Sequence, residues 1–136
     1  MFLLDTNVIS ELRRAKPHGG VLAWFDGLRP DEISIPAVVI GEIARGIELT
    51  RRGDAVYADY LSEWLDKISS QFPILPATGP IYRIWGRLVS DKRPDLSNDA
   101  LIAATAIHHQ LTVVTRNVKD FTPFGVLVAN PFGRAR

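Results

Sequence analysis

Three acids in this chain sit at positions where carboxylates can do chemistry: Asp5, Glu42 and Asp99. Asp5 closes the apolar run FLL and leads into TNVISEL, whose apolar spacing is helical. Glu42 lies in the second turn of the helix following SIPAV, at the border of a stripe made by Val39, Ile40, Ile43, Ala44 and Ile47. Asp99 stands in the first turn of NDALIAATAI, with Ala103 and Ala106 leaving room on its face. Each acid taken alone has a structural use, as a helix cap, a partner of the helix dipole or a boundary residue. Together they are costly, because two carboxylates about 4 Å apart repel by roughly 4 kcal/mol at an effective dielectric of 20. A bound cation removes that cost. The chain has no Cys. His108 and His109 fall at the far end of the Asp99 helix, about 15 Å away by helix rise, and His18 falls in a loop. Oxygen donors alone suit a hard cation, Mg2+ or Mn2+.

The elements that must position these acids read as alternating strands and helices. Strands are expected at 2–5, EISI (32–35), FPIL (72–75), TVVT (112–115) and VLVA (126–129). Helices are expected from Thr6 to about Arg13, in VLAWFDGL, from Pro36 to about Arg51, over 54–70, from Gly79 to Asp91, and over SNDALIAATAIHHQ, with a turn at KPHGG. This order defines an α/β fold with a mostly parallel sheet of about four to five strands flanked by helices. Ligands of such sheets bind beyond the carboxyl ends of the strands. Asp5, Glu42, Asp99 and the strand-end residues Thr115, Arg116 and Asn117 are therefore expected to converge on one edge.

A chain of 136 residues, 46% of them apolar, has material for one core, so a single domain over 1–136 is expected, its last few residues forming a tail. No apolar run approaches the roughly 20 residues that span a bilayer, and no secretory leader is recognisable. With Cys absent, a reducing cytoplasm is the expected compartment. A net charge of +1 is too balanced to indicate nucleic-acid binding in bulk, so phosphate contacts must come from local clusters. Arg13, Arg14 and Lys16 form one, and the pairs Arg51/Arg52, Arg83/Arg87 and Lys92/Arg93 form others. Arg116 and Lys119, nearest the acids in sequence, are the best candidates.

Four blocks, LLDTNVISEL, SIPAVVIGEIARGIEL, NDALIAATA and TVVTRNVKDF, resemble in order and spacing the signature blocks of PIN-domain ribonucleases. The similarity covers essentially the whole chain and is strongest to the VapC-type toxins of type II toxin–antitoxin systems, including their FitB-like subgroup. The resemblance implies a single PIN-like domain in which Asp5, Glu42 and Asp99 are catalytic residues and metal ligands for Mg2+ or Mn2+. Family members often carry a fourth acid near the end of the TVVT strand. Here that position falls on Asn117, an amide, or on Asp120 three residues later. Thr6 and Thr115 are expected to orient carboxylates or waters, and Arg116 and Lys119 to contact phosphate. The implied activity is endonucleolytic hydrolysis of RNA by a metal-activated water. The implied partners are RNA and a small DNA-binding, VapB-like antitoxin, in a homodimer or larger assembly. The antitoxin would present a basic side chain to the acids. A catalytically weak PIN-fold module that binds nucleic acid with its antitoxin is the alternative. Large apolar groups in VLAWFDGL and in the 54–70 helix (Tyr57, Tyr60, Leu61, Trp64, Leu65 and Ile68) exceed what one small core needs, which suggests a partner surface.

Overall fold

The computed structural model describes residues 1–90 and 97–134. Five short strands form one sheet, β1 (Phe2–Leu4), β2 (Ile33–Pro36), β3 (Ile74–Leu75), β4 (Thr112–Val114) and β5 (Val128–Ala129), in the order β3-β2-β1-β4-β5. Every pairing is parallel. The helices are α1 (Thr6–Leu12), α2 (Gly19–Asp26), α3 (Ala37–Arg51), α4 (Ala55–Gln71), α5 (Gly79–Val89), α6 (Ser97–His109) and α7 (Val118–Phe121). Chain order runs from β1 outward through β2 and β3, then returns to β4 on the other side of β1. That reversal makes β1/β4 the switch point, where connections leave toward opposite faces and open a crevice at the carboxyl edge.

The core explains why these segments adopt these forms. Leu3 and Leu4 of β1, Ile33 and Ile35 of β2, and Val113 and Val114 of β4 are all buried, as apolar strands covered on both faces must be. The α6 helix is buried continuously from Ala100 to Ala106, and its small residues let it lie close against the sheet. Trp85 of α5 fixes the start of α6 by donating its indole N–H to the Ser97 carbonyl at 3.0 Å.

Several expected boundaries move. Pro36 is the last residue of β2 and the N-cap of α3, not a member of its first turn; it pairs with Leu75 near the sheet edge, where a missing N–H is tolerated. Gly19 and Gly20, expected in a turn, begin α2. Each edge strand shortens to two residues, since an edge has one neighbour to pair with. Short 3-10 turns at Pro30–Glu32, Thr122–Phe124 and Pro131–Arg134, and the four-residue α7, carry no periodicity that a sequence could show. Lys92, Arg93 and the expected end of the fifth long helix at Asp91 lie outside the described residues. The apolar surplus also shrinks: Trp24, Phe25, Trp64 and Ile68 pack against the main core, while Leu61 and Leu65 join a smaller cluster with Ile47 and Ala58. Tyr57, Tyr60 and, in VLAWFDGL, Leu22 stay exposed.

The turn from α6 into β4 sets where β4 delivers its residues. Leu111 N–H reaches back to the Ala106 carbonyl at 2.9 Å, and Gln110 takes a left-handed φ of 58°. A side chain in that region costs about 1 kcal/mol that glycine does not incur. Gln110→Gly should therefore raise the melting temperature by a few degrees, and Gln110→Val should lower it. Thermal melts of the two variants beside the parent check this.

Candidate active site

Asp5 follows β1 directly and Thr115 follows β4, and the register Leu4 to Val114 sets the two side by side. Asp5 is the N-cap of α1; its Oδ1 accepts from the Thr6 backbone N–H at 2.7 Å. Its Oδ2 accepts from the Thr115 hydroxyl at 2.8 Å and from the Asn7 amide at 3.1 Å. Thr115 is fully buried, and its hydroxyl oxygen also accepts the Asn117 backbone N–H at 3.0 Å and the Asn7 amide at 3.3 Å. Asn7 completes the knot through its Oδ1, which accepts the Arg116 backbone N–H at 3.0 Å. The Asp5 carboxylate thus caps α1 with one oxygen and gathers side-chain donors from Thr115 and Asn7 with the other.

Glu42 is half-buried on α3, at the border its spacing indicates. The Thr6 hydroxyl donates to its Oε1 at 2.6 Å, and the Asn98 amide donates to its Oε2 at 3.3 Å. Thr6 therefore serves two acids, with its backbone N–H on Asp5 and its hydroxyl on Glu42. Asp99 follows Asn98 in the first turn of α6, half-buried. Hydrogen bonds thus link Asp5, Thr6, Glu42 and Asn98, and Asp99 is the next residue along α6. Among the described residues, however, no three His, Cys, Asp or Glu side chains gather closely enough to form a ready-made metal cage. The carboxylate oxygens of Asp5 and Glu42 are directed instead at neutral hydroxyl and amide donors. The groups here that could face a cation are carboxylate oxygens, the ligand type that hard cations take.

Burial pushes the Asp5 carboxyl above its ordinary value; the Thr115, Thr6 and Asn7 hydrogen bonds oppose this, and the Glu42 charge adds to it. A negative charge in so little solvent is stabilised by a cation.

The remaining expected residues take other places. Asn117 caps α7 by position but not through its side chain, and enters the knot by its backbone N–H. Asp120 is half-buried in the first turn of α7. Neither side chain hydrogen-bonds to Asp5 or Glu42 among the described residues. The Arg116 guanidinium lies over the Phe132 ring at 3.9 Å and reaches Glu11 at 3.8 Å, on the flank of the acids. Lys119 is exposed on α7. His18 uses Nδ1 to cap α2, accepting the Gly20 N–H at 3.1 Å.

Sequence reasoning missed Asn7, Asn98 and Glu11. The first two were signalled by position, as neighbours of acids at a strand end and a helix start. Glu11 gave no signal, because an acid near a helix end reads as solvated; it is only 6% exposed and accepts the His18 backbone N–H at 2.8 Å.

A doubly wound parallel sheet with carboxylates at its switch point, each held by hydroxyl and amide donors, defines the class: an α/β protein with an acid-lined edge. The model of the PIN domain matches residues 2–122, and the chain belongs to that family. It is 36% identical to Toxin FitB of Neisseria gonorrhoeae, an alignment covering 97% of this chain and 99% of that protein. It is 30% identical to VapC ribonuclease Y4jK of Sinorhizobium fredii, over 97% and 98%. The crystal structure of FitAcB from Neisseria gonorrhoeae superposes with a TM-score of 0.87 at 35% identity, covering 97% of this chain and 99% of that one. A FitAB structure bound to an IR36 DNA fragment gives 0.86 at 34% identity, over 97% and 96%.

Two measurements follow from the geometry. Burial lets the folded chain keep the Asp5 proton to higher pH than the unfolded chain does, above 3.8. In that interval the folded state binds more protons, so the stability Asp5 contributes falls as pH rises and is lost once the folded carboxyl ionises. In EDTA, the melting temperature of the parent relative to Asp5→Asn should decline from acid toward neutral pH. A difference that grew with pH would contradict the burial argument. Thr115→Val keeps shape but leaves Asp5 and the Asn117 N–H short of a partner, and should cost about 1–3 kcal/mol in chemical denaturation.

Proposed function

We propose that this chain is a Mg2+- or Mn2+-dependent endoribonuclease that acts in the cytoplasm as the toxin of a type II toxin–antitoxin pair. The observation that carries the reading is the linked set Asp5–Thr6–Glu42–Asn98 at the sheet edge, with Asp99 next in the chain. Membership of the PIN family and similarity to a toxin and a VapC ribonuclease support it. No described helix is long and apolar enough to cross a membrane.

In this reading Asp5 and Asp99 hold the cation, with Glu42 beside them. When bound, the cation lowers the pKa of a water and offsets charge on the phosphoryl oxygens. Thr115 and Asn7 fix the Asp5 carboxylate, so little reorganisation is needed during the reaction. Glu42, oriented by Thr6 and Asn98, receives a proton from the attacking water. The water oxygen bonds to phosphorus as the opposite P–O bond breaks; the departing oxygen takes a proton from solvent and leaves as the hydroxyl of one strand end, and Glu42 releases its proton to solvent. Asn117 or Asp120 adds an oxygen at the margin of the site, while Arg116 and Lys119 meet neighbouring phosphates.

The partner reading rests on the same relatives. Neighbouring structures are FitAB and VapBC complexes, some of them bound to DNA. A small VapB-like antitoxin that sets a basic side chain against Asp5, Glu42 and Asp99 would compete with the cation, since a guanidinium pairs bidentately with carboxylates. A homodimer or larger assembly with the antitoxin fits this role.

Cleavage of RNA by the purified chain should require Mg2+ or Mn2+ and stop in EDTA. Asp5→Asn, Glu42→Gln and Asp99→Asn should each abolish it and relieve growth arrest, while the exposed Glu48→Ala on the same helix leaves both intact. Thr6→Val should lose roughly 10–100-fold, as residues that orient ligands do, with Thr6→Ser recovering most of the loss. Full cleavage in EDTA would refute the metal assignment. RNA binding without cleavage, indifferent to EDTA, would instead establish a nucleic-acid-binding module.

A further inference from the structure

Beside the acids, a cleft of about 710 Å³ opens between the end of α1 and the start of α4. Its lining includes Asn7, Arg13, Arg14, Arg116, Tyr57 and Tyr60. Tyr57 and Tyr60 lie one turn apart on α4 and so share a face. Their rings are nearly parallel, 12° between planes and 6.1 Å between centroids, and they are 42% and 57% exposed. The core thus leaves both largely uncovered, although it absorbs Leu61, Trp64, Leu65 and Ile68 of the same helix. Arg13 donates to the Tyr57 hydroxyl at 2.8 Å, which fixes that ring and keeps a cation at the rim. Among the described residues lining this cleft the carboxylate is Glu11, which reaches Arg14 at 3.6 Å and Arg116 at 3.8 Å. A smaller cleft of about 230 Å³ on the other side holds Thr6 and Glu42, and shares Ser10 and Arg13 with the first. The floor residue Asn7 is hydrogen-bonded to Asp5.

We propose that this cleft is a subsite for a single-stranded stretch of RNA flanking the scissile phosphate, with a base stacked on the Tyr57/Tyr60 face and its phosphates against Arg13 and Arg14. The inference rests on the ribonuclease reading above and adds where the strand runs and what grips it. Exposed parallel aromatic rings offer a surface for any base, since every base has a π-face. Adjacent arginines neutralise the backbone and set its register without reading sequence. Excess positive charge in the cleft matches a polyanion, whereas the carboxylates next door would repel one that had no such anchor. The cleft therefore holds the strand by its bases and flanking phosphates, outside the acidic centre. It selects for unpaired RNA, because a base inside a helix cannot present its face to the rings.

The test compares two probes in EDTA by fluorescence anisotropy: a short mixed-sequence single-stranded RNA, and the same sugar-phosphate backbone without its bases. The parent should prefer the base-bearing probe by about tenfold. Tyr57→Ala/Tyr60→Ala should lose most of that preference, and Tyr57→Phe/Tyr60→Phe should recover it; melts of both confirm folding. Arg14→Ala should weaken the two probes equally and flatten the salt dependence. If the alanine pair keeps the full preference while the parent still cleaves RNA, the subsite is refuted and the ribonuclease reading stands. If the alanine pair keeps the preference but loses a co-expressed antitoxin, the cleft belongs to a protein partner and the proposal falls. A parent that neither binds nor cuts RNA would overturn the ribonuclease reading and this proposal with it.

Discussion

Everything at this edge depends on one buried carboxylate. Asp5 is 5% exposed, and its donors among the described residues are neutral: a hydroxyl, a side-chain amide and a backbone N–H. A lone charge so placed would normally be paired or lost to protonation. Keeping it requires Thr115 at its side, and Thr115 is there only because β1 and β4 pair in a fixed parallel register. A slip of one residue would send Thr115 to the opposite face of the sheet and leave Asp5 without its shortest side-chain donor. The buried Leu3, Leu4, Val113 and Val114 hold that register. The hydrophobic core and the acidic edge are therefore two consequences of one strand pairing.

Thr6 extends the constraint to a second element. Its backbone N–H and its hydroxyl serve different acids, so Glu42 is tied to Asp5 across a single residue although 37 positions separate them in sequence. Asn98 draws the head of α6 toward the same carboxylate, and Trp85 holds the neighbouring Ser97 carbonyl from α5. Among the described residues, Asp5 and Glu42 are thus oriented by hydroxyl, amide and backbone N–H groups, which fix the carboxylates without carrying charge of their own.

Much of this was legible in the sequence because it follows from periodicity and topology. The parallel sheet, the buried α6 and the border position of Glu42 come from apolar spacing alone. The convergence of strand ends and helix starts follows once the sheet is known to be parallel. Less accessible were features set by neighbours distant in the chain. Glu11 is buried because the loop after α1 folds back and places the His18 N–H on it, which no local spacing encodes. Leu61, Trp64 and Ile68 looked surplus because spacing reveals which face of a helix is apolar, not how deeply another helix covers it. Asn7 and Asn98 were visible as polar neighbours of acids, but which carboxylate each would serve depends on angles between elements that no spacing encodes.

The charge distribution shows why bulk composition says little here. A net charge of +1 conceals a sheet edge bearing Asp5 and Glu42 beside a rim carrying Arg13, Arg14 and Arg116. The Debye length at physiological salt is about 8 Å, so an approaching polyanion responds to such local patches more than to the sum. Glu11 moderates the basic side without neutralising it, because one carboxylate is shared by two of the arginines at 3.6 and 3.8 Å. Its own burial ties that sharing to the fold, where the His18 N–H and two guanidiniums meet it. The acidic and basic sides of the edge are thus built in the same way, each around a buried carboxylate on or next to α1 that meets near neighbours and one residue following β4, Thr115 for Asp5 and Arg116 for Glu11. One short helix, α1, consequently fixes the position of both.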